Sequence, residues 1–258
     1  MASILGPRDL GGILEETFRI YRRNFLRIAA IVVIIEVPLG ILASVLVYAS
    51  VMRFITSIEI VEGTFEAPAL FIVTMIIFVV VSIVAYALIE GALIHAVSEQ
   101  NLRQTISIGR AYRFALERLG ALLGAMILAG LALLVMSITI IGIPAAIYFG
   151  VRWTFIWQAA LLEGLGPGAA LSRSSDLVKE NWWRVVGIMF VVGIIAGAIS
   201  AILGIIPIAG SIIGSILSTS VVVTGATLLY YDLRVRKEGY SLDALAQELD
   251  IKISSDVV

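Results

Sequence analysis

Residues 119–141 read LGALLGAMILAGLALLVMSITII, twenty-three positions without a charged or amide side chain. A helix rises ~1.5 Å per residue and the hydrocarbon of a bilayer is ~30 Å thick, so a run of this length crosses it. Five further segments reach a comparable length: Leu26–Tyr48, Ala69–Ile89, Pro144–Leu162, Val185–Ile206 and Ser211–Tyr230. The fold class they predict is an all-α integral membrane protein with six transmembrane helices arranged as three hairpins.

Composition agrees. The chain of 258 residues is 60% apolar and 14% charged, with a mean hydropathy of +1.05. A soluble domain carries about 45–50% apolar and about 25% charged residues. The excess needs lipid around the helices. A net charge of −1 gives no electrostatic footprint for nucleic acid, so no nucleic-acid partner is expected. Without cysteine and with one histidine, His95, no metal site and no cofactor are predicted. The first apolar run starts near Leu26 and exceeds the ~7–15 residues of a signal peptide's apolar region, so it reads as a retained span.

The connections alternate in character. Residues 52–67 form an acidic loop with Glu59, Glu62 and Glu66. Gly142–Ile143–Pro144 and Pro207–Ile208–Ala209–Gly210 read as tight, uncharged turns. The other connections are basic and amphipathic. In 9–25, Leu10, Leu14, Phe18, Tyr21 and Phe25 recur at helical spacing. In 103–119, Ile108, Ala111, Tyr112, Ala115 and Leu119 do so. In 167–183, Pro167 suits a first helical turn, and Leu171 and Val178 share a side before Trp182 and Trp183. Such helices lie flat at the headgroups, and Arg19, Arg22, Arg23, Arg110, Arg113, Arg173 and Arg184 are candidates to hold anionic lipid headgroups.

Seventeen of the eighteen Lys and Arg fall in or beside these basic segments and the C-terminus, with Arg152 counted among them; Arg53 alone lies opposite. The positive-inside rule then puts both termini in the cytoplasm. A weak repeat runs through the chain: amphipathic helix, junction, hairpin, with junctions at Asn24–Arg27, Arg118–Leu119 and Asn181–Arg184. A membrane domain over 1–231 is followed by a polar tail, 232–258. There Ser241 suits an N-cap, Leu242, Leu245 and Leu249 form a stripe, and the last five residues are expected to be disordered.

Charged groups inside spans are functional candidates. Glu36 and Arg152 reach similar estimated depths, ~13 and ~16 Å at helical rise. Two readings stand: a buried ion pair or polar bonds that fix the packing of spans one and four, or an anion site centred on Arg152 with Tyr148, Trp153, Trp157 and Gln158. Glu90 and Glu163, at cytoplasmic span ends, read as partners of Arg or Lys on the following surface helices, or as a proton or cation entry site. His95 reads as an interfacial histidine. The pairs Gly120/Gly124, Gly193/Gly197 and Gly210/Gly214 permit close helix approach.

Three motifs carry a resemblance. They are Glu16–Thr17–Phe18–Arg19–Ile20–Tyr21–Arg22–Arg23–Asn24–Phe25, then Glu163–Gly164–Leu165–Gly166–Pro167 with 172–183, and Tyr230–Tyr231–Asp232–Leu233–Arg234–Val235–Arg236–Lys237–Glu238–Gly239–Tyr240. Together they resemble the membrane domain of some glycerophosphodiester phosphodiesterases, a domain that also stands alone in prokaryotic proteins. The resemblance runs from about residue 12 to 245 and implies a fold in a prokaryotic plasma membrane. In that family the reaction belongs to a separate soluble barrel with metal carboxylates and a histidine pair. This chain has no room for the barrel, so a non-enzymatic scaffold, anchor or accessory subunit is expected, with membrane lipids and a membrane-protein partner or second copy as its contacts. The alternative is a small-solute or lipid transporter using Arg152 and Glu36.

Overall fold

The computed structural model describes residues 6–58, 69–102, 104–206 and 209–249, and within these the side chains of all but 51, 53–58, 69–71 and 242. Ten helices and no strand occur among the described residues: α1 (Leu10–Ile58), α2 (Ala69–Asn101), α3 (Ile108–Glu117), α4 (Leu119–Ser137), α5 (Gly142–Arg152), α6 (Ile156–Leu162), α7 (Pro167–Val178), α8 (Trp182–Leu203), α9 (Ala209–Glu238) and α10 (Leu242–Glu248). Parts or all of α1, α2, α4, α8 and α9 make five helices long and apolar enough to cross a membrane. The chain is thus an all-α, multi-pass membrane protein by helix length and composition. The stretch read as a fourth continuous span, Pro144–Leu162, is instead broken into α5 and α6.

The apolar segments form helices because their backbone groups must be satisfied internally where water is absent. Their outward faces carry large apolar side chains, such as Ile41 and Val45 on α1, Ile76 on α2, Val135 on α4 and Phe190 on α8. α9 is the centre. Of its apolar window 61% is buried, against 11–22% for the other four, and it packs on α1, α2, α7 and α8. Gly214 lets α9 approach Ser200 of α8, and Gly225 meets Val192 of α8 and Thr17 of α1.

The three junctions read from the sequence recur as three elbows. Asn24 (φ −123°, ψ 21°), Arg118 (φ −111°, ψ 10°) and Asn181 (φ −119°, ψ 22°) all leave the helical region at the same kind of bend. Asn24 is pinned by its side chain, which donates to the Ile20 carbonyl at 3.2 Å and to Gln100 at 2.9 Å.

Local details refine the sequence reading. The N-terminal arm of α1 buries Ile13, Thr17 and Ile20, so the stripe of Leu10, Phe18 and Phe25 faces outward. α3 buries Ala111 and Ala115, as its spacing predicts. The turn between α4 and α5 spans 138–141, earlier than Gly142–Pro144. The Thr139 hydroxyl accepts from Gly142 N–H at 3.0 Å, and Pro144 falls in the first turn of α5, where its missing N–H costs nothing. A Cβ at Gly142 would sit 1.9 Å from the Met136 carbonyl oxygen. The boundary expected at 231/232 falls inside α9, which continues to Glu238 and stops at Gly239, φ +63°. Ser241 caps α10 by accepting from Ala244 N–H, and Leu245 and Leu249 are buried. The acidic residues Glu59, Glu62 and Glu66, the start of the Pro207–Gly210 turn and the last five residues lie outside the described residues.

Candidate functional site

The break after Arg152 is built by α7. Trp153 (φ −100°, ψ 13°) and Phe155 (φ −106°, ψ 21°) leave the helix, which strips partners from nearby backbone groups. Ser174, fully buried on α7, supplies them. Its hydroxyl donates to the Arg152 carbonyl at 2.7 Å and accepts from Phe155 N–H at 3.1 Å. The Arg152 guanidinium donates to the Ser175 carbonyl at 3.3 Å and lies 5.7 Å from the Tyr148 ring centre and 5.8 Å from that of Phe149. Its Nε is buried without a hydrogen-bond partner among the described residues.

Glu36 and Arg152 do not meet. Glu36, half-buried on α1, has the Ser215 hydroxyl of α9 as its polar neighbour. The ion pair between spans one and four is therefore corrected: the break turns Arg152 toward α7 instead. Tyr148 stacks on Trp182, ring centres 6.1 Å apart, and its carbonyl accepts from the Trp182 indole at 3.3 Å. Gln158, on α6, is buried, and its Oε1 has no hydrogen-bond partner among the described residues.

Glu163 does pair as expected. Its two oxygens share the Arg173 Nε–H, at 2.8 and 2.9 Å, and it accepts from the Tyr230 hydroxyl. Arg173 also forks onto Glu238; these bonds, those to Glu238 foremost, hold its guanidinium above its ordinary pKa. Arg234 clamps Glu248 of α10 at 2.8 and 3.0 Å and lies 3.7 Å over the Tyr240 ring. Burial pushes the Tyr240 hydroxyl well up, so it stays a donor to Glu248, at 2.6 Å. Asp232 is the second hub. It accepts from Arg184, Arg236 and the backbone N–H of Arg8.

Glu90 departs from its sequence reading. α2 runs on past it to Asn101, so it is not at a helix end. It is buried beside the Tyr86 hydroxyl one turn back, and among the described residues its Oε2 has no hydrogen-bond partner and no basic side chain lies in ion-pair distance. His95 is buried against Phe114, ring centres 4.5 Å apart. Glu99, which the sequence reading missed, takes the elbow before α3, accepting from Ser107 N–H at 3.0 Å and facing Arg110 at 3.0 Å.

The seven headgroup candidates divide. Arg173 and Arg184 are held inside the protein by Glu163, Glu238 and Asp232. Arg19 pairs with Glu16, Arg110 with Glu99 and Arg113 with Glu117. Arg22 and Arg23 are exposed, with no carboxylate in ion-pair distance among the described residues. Ser174 and Asp232 were also missed as organisers. Asp232 had a signal, the i,i+4 spacing to Arg236; Ser174 had none.

Among the described residues no three His, Asp or Glu side chains are grouped to hold a metal ion. No protein-family model, curated protein or solved structure matches this chain.

Proposed function

We propose that this chain is a non-enzymatic membrane scaffold or accessory protein with six crossings, the broken α5–α6 counted as one. Its basic end and both termini lie in the cytoplasm of a prokaryote, at the plasma membrane. The observation that carries the reading is the ion-pair lattice at that end. Glu163, Asp232, Glu238 and Glu248 bind Arg173, Arg184, Arg234 and Arg236, fastening α6, α7, α8, α9 and α10 to one another. Charges so engaged serve assembly rather than turnover. The resemblance of these residues to a membrane domain, rather than to a catalytic one, supports the same reading. Its partners are membrane lipids with anionic headgroups and a second membrane protein or copy.

The transporter reading keeps one observation in its favour, the unpartnered Arg152 Nε beside Tyr148. Two measurements decide. The chain has no cysteine, so Ile140→Cys and Ser172→Cys can be labelled in intact and opened cells; opposite-side labelling is expected. In proteoliposomes, solute uptake and lipid scrambling should match protein-free vesicles. Flux lost on Arg152→Gln would replace the scaffold reading with the transporter.

A further inference from the structure

A groove of about 520 Å³ opens where α7 gives way to α8. It is lined by Tyr148, stacked on Trp182, by Trp183, and by Lys179, Glu180, Asn181 and Arg184. It sits at the third elbow, where a surface helix turns into a spanning one. Trp183 is 80% exposed there, as amphipathic rings at a membrane interface are.

The groove holds two basic side chains and one acidic one, and two of the three have partners. Glu180 is engaged by Lys237 at 3.4 Å and Arg184 by Asp232 at 2.9 Å. No carboxylate lies in ion-pair distance of Lys179 among the described residues, and its side chain is exposed. The charge left for a ligand is positive. Below the groove, α8 presents Trp183, Gly187, Phe190, Ile194 and Gly197 along one exposed line. A Cβ at Gly187 or Gly197 would meet nothing within 4 Å. The line is therefore an apolar track with two bare steps, continuous with the groove.

We propose that the groove binds one anionic phospholipid, its phosphate on Lys179, its glycerol level against Trp182 and Trp183, and an acyl chain along Gly187 and Gly197. A phosphate matches the free ammonium, the indoles suit the boundary between headgroup and chain, and the bare glycines leave room for methylenes. The assignment rests on the α7–α8 corner lying at headgroup depth, not on the scaffold role. Flux in vesicles would sink that role and leave this site standing.

The test uses the full chain in neutral detergent, titrated with dihexanoyl phosphatidylglycerol, dihexanoyl phosphatidylcholine and glycerol 3-phosphate, read by tryptophan fluorescence. Saturable binding of the phosphatidylglycerol is expected, with Trp183→Phe removing most of the signal. Lys179→Gln should weaken it roughly fivefold, the contribution of one basic residue at an anionic surface, and weaken phosphatidylcholine, whose phosphate is offset by its own choline, by less. Gly187→Trp should weaken both lipids. Native affinity in Lys179→Gln would overturn the proposal. So would glycerol 3-phosphate binding as tightly as the lipid, which would make this a free-anion site.

Discussion

Ser174 and Arg152 are joined at 2.7 Å, hydroxyl to carbonyl, by a partly buried contact between α7 and the end of α5. The same hydroxyl accepts from Phe155 N–H, so one side chain spans both sides of the helix break. A break in an apolar helix leaves backbone groups without partners, and such groups are costly where no water reaches them. The surface helix α7 is thus a structural part of the broken segment rather than a lid over it.

Removing that hydroxyl should show the dependence. Ser174→Ala leaves the Phe155 N–H and the Arg152 carbonyl without this partner, at about 1–3 kcal/mol. A lower melting temperature in detergent is expected. Ser172→Ala, on the exposed side of the same helix, should melt as the native chain does. Equal melting of both variants would mean that the break holds itself.

Glu36 and Arg152 test the correction made above. With Glu36 beside Ser215 and Arg152 on the α7 carbonyl, they share no partner. Glu36→Gln and Arg152→Gln should then add in the double variant to within ~0.5 kcal/mol. A double variant markedly more stable than the sum would restore the ion pair.

What could be read beforehand follows from what each feature depends on. The spans and the amphipathic helices depend on composition and period, which are local. The elbows at Asn24, Arg118 and Asn181 fall where a basic amphipathic stretch meets an apolar one, and that change is written in the residues. The break at Arg152–Phe155 is different. Its local sequence, Val151–Arg152–Trp153–Thr154–Phe155, holds no Gly or Pro, and its stabilising contact comes from Ser174, a residue on another helix. The extension of α2 was missed for a similar reason. Glu90, His95 and Glu99 look like a span end, yet Phe114, Ser107 and Arg110 from the next segment cover the last two.

The glycine pairs separate in a way their spacing does not show. A Cβ at Gly124 would lie 2.6 Å from Pro167 Cγ, whereas Gly120 and Gly193 face open space. The proline ring cannot swing aside as a flexible side chain can. Gly124→Ala should cost about 1–3 kcal/mol by overpacking. Gly120→Ala and Gly193→Ala should be neutral or stabilise by up to about 1 kcal/mol through helix propensity. Melting temperatures of the three variants check this. Similar losses in all three would mean that the exposed glycines face a partner, and would argue for an oligomer.

Asp232 carries the last prediction. Its side chain is 1% exposed and takes Arg184 at 2.9 Å, Arg236 at 3.0 Å and the Arg8 N–H at 2.6 Å. Arg184 and Arg236 both also donate to the Arg8 carbonyl. One carboxylate therefore fixes the start of the chain against α8 and α9. Asp232→Asn keeps the shape and removes the charge, which strands two guanidiniums around a neutral amide. Losing one partner of a fully buried pair costs about 3–5 kcal/mol. Arg184 and Arg236 are partly open to solvent, so about 2–3 kcal/mol is expected here. Adding Arg184→Gln should recover part of that loss, because one stranded charge is then gone. Hydrogen exchange should also quicken at the Arg8 amide, whose acceptor is weakened. Strictly additive melting losses, with Arg8 exchanging as before, would show that Asp232 is not the hub and that α9 is held by the Arg173 and Arg234 clamps alone.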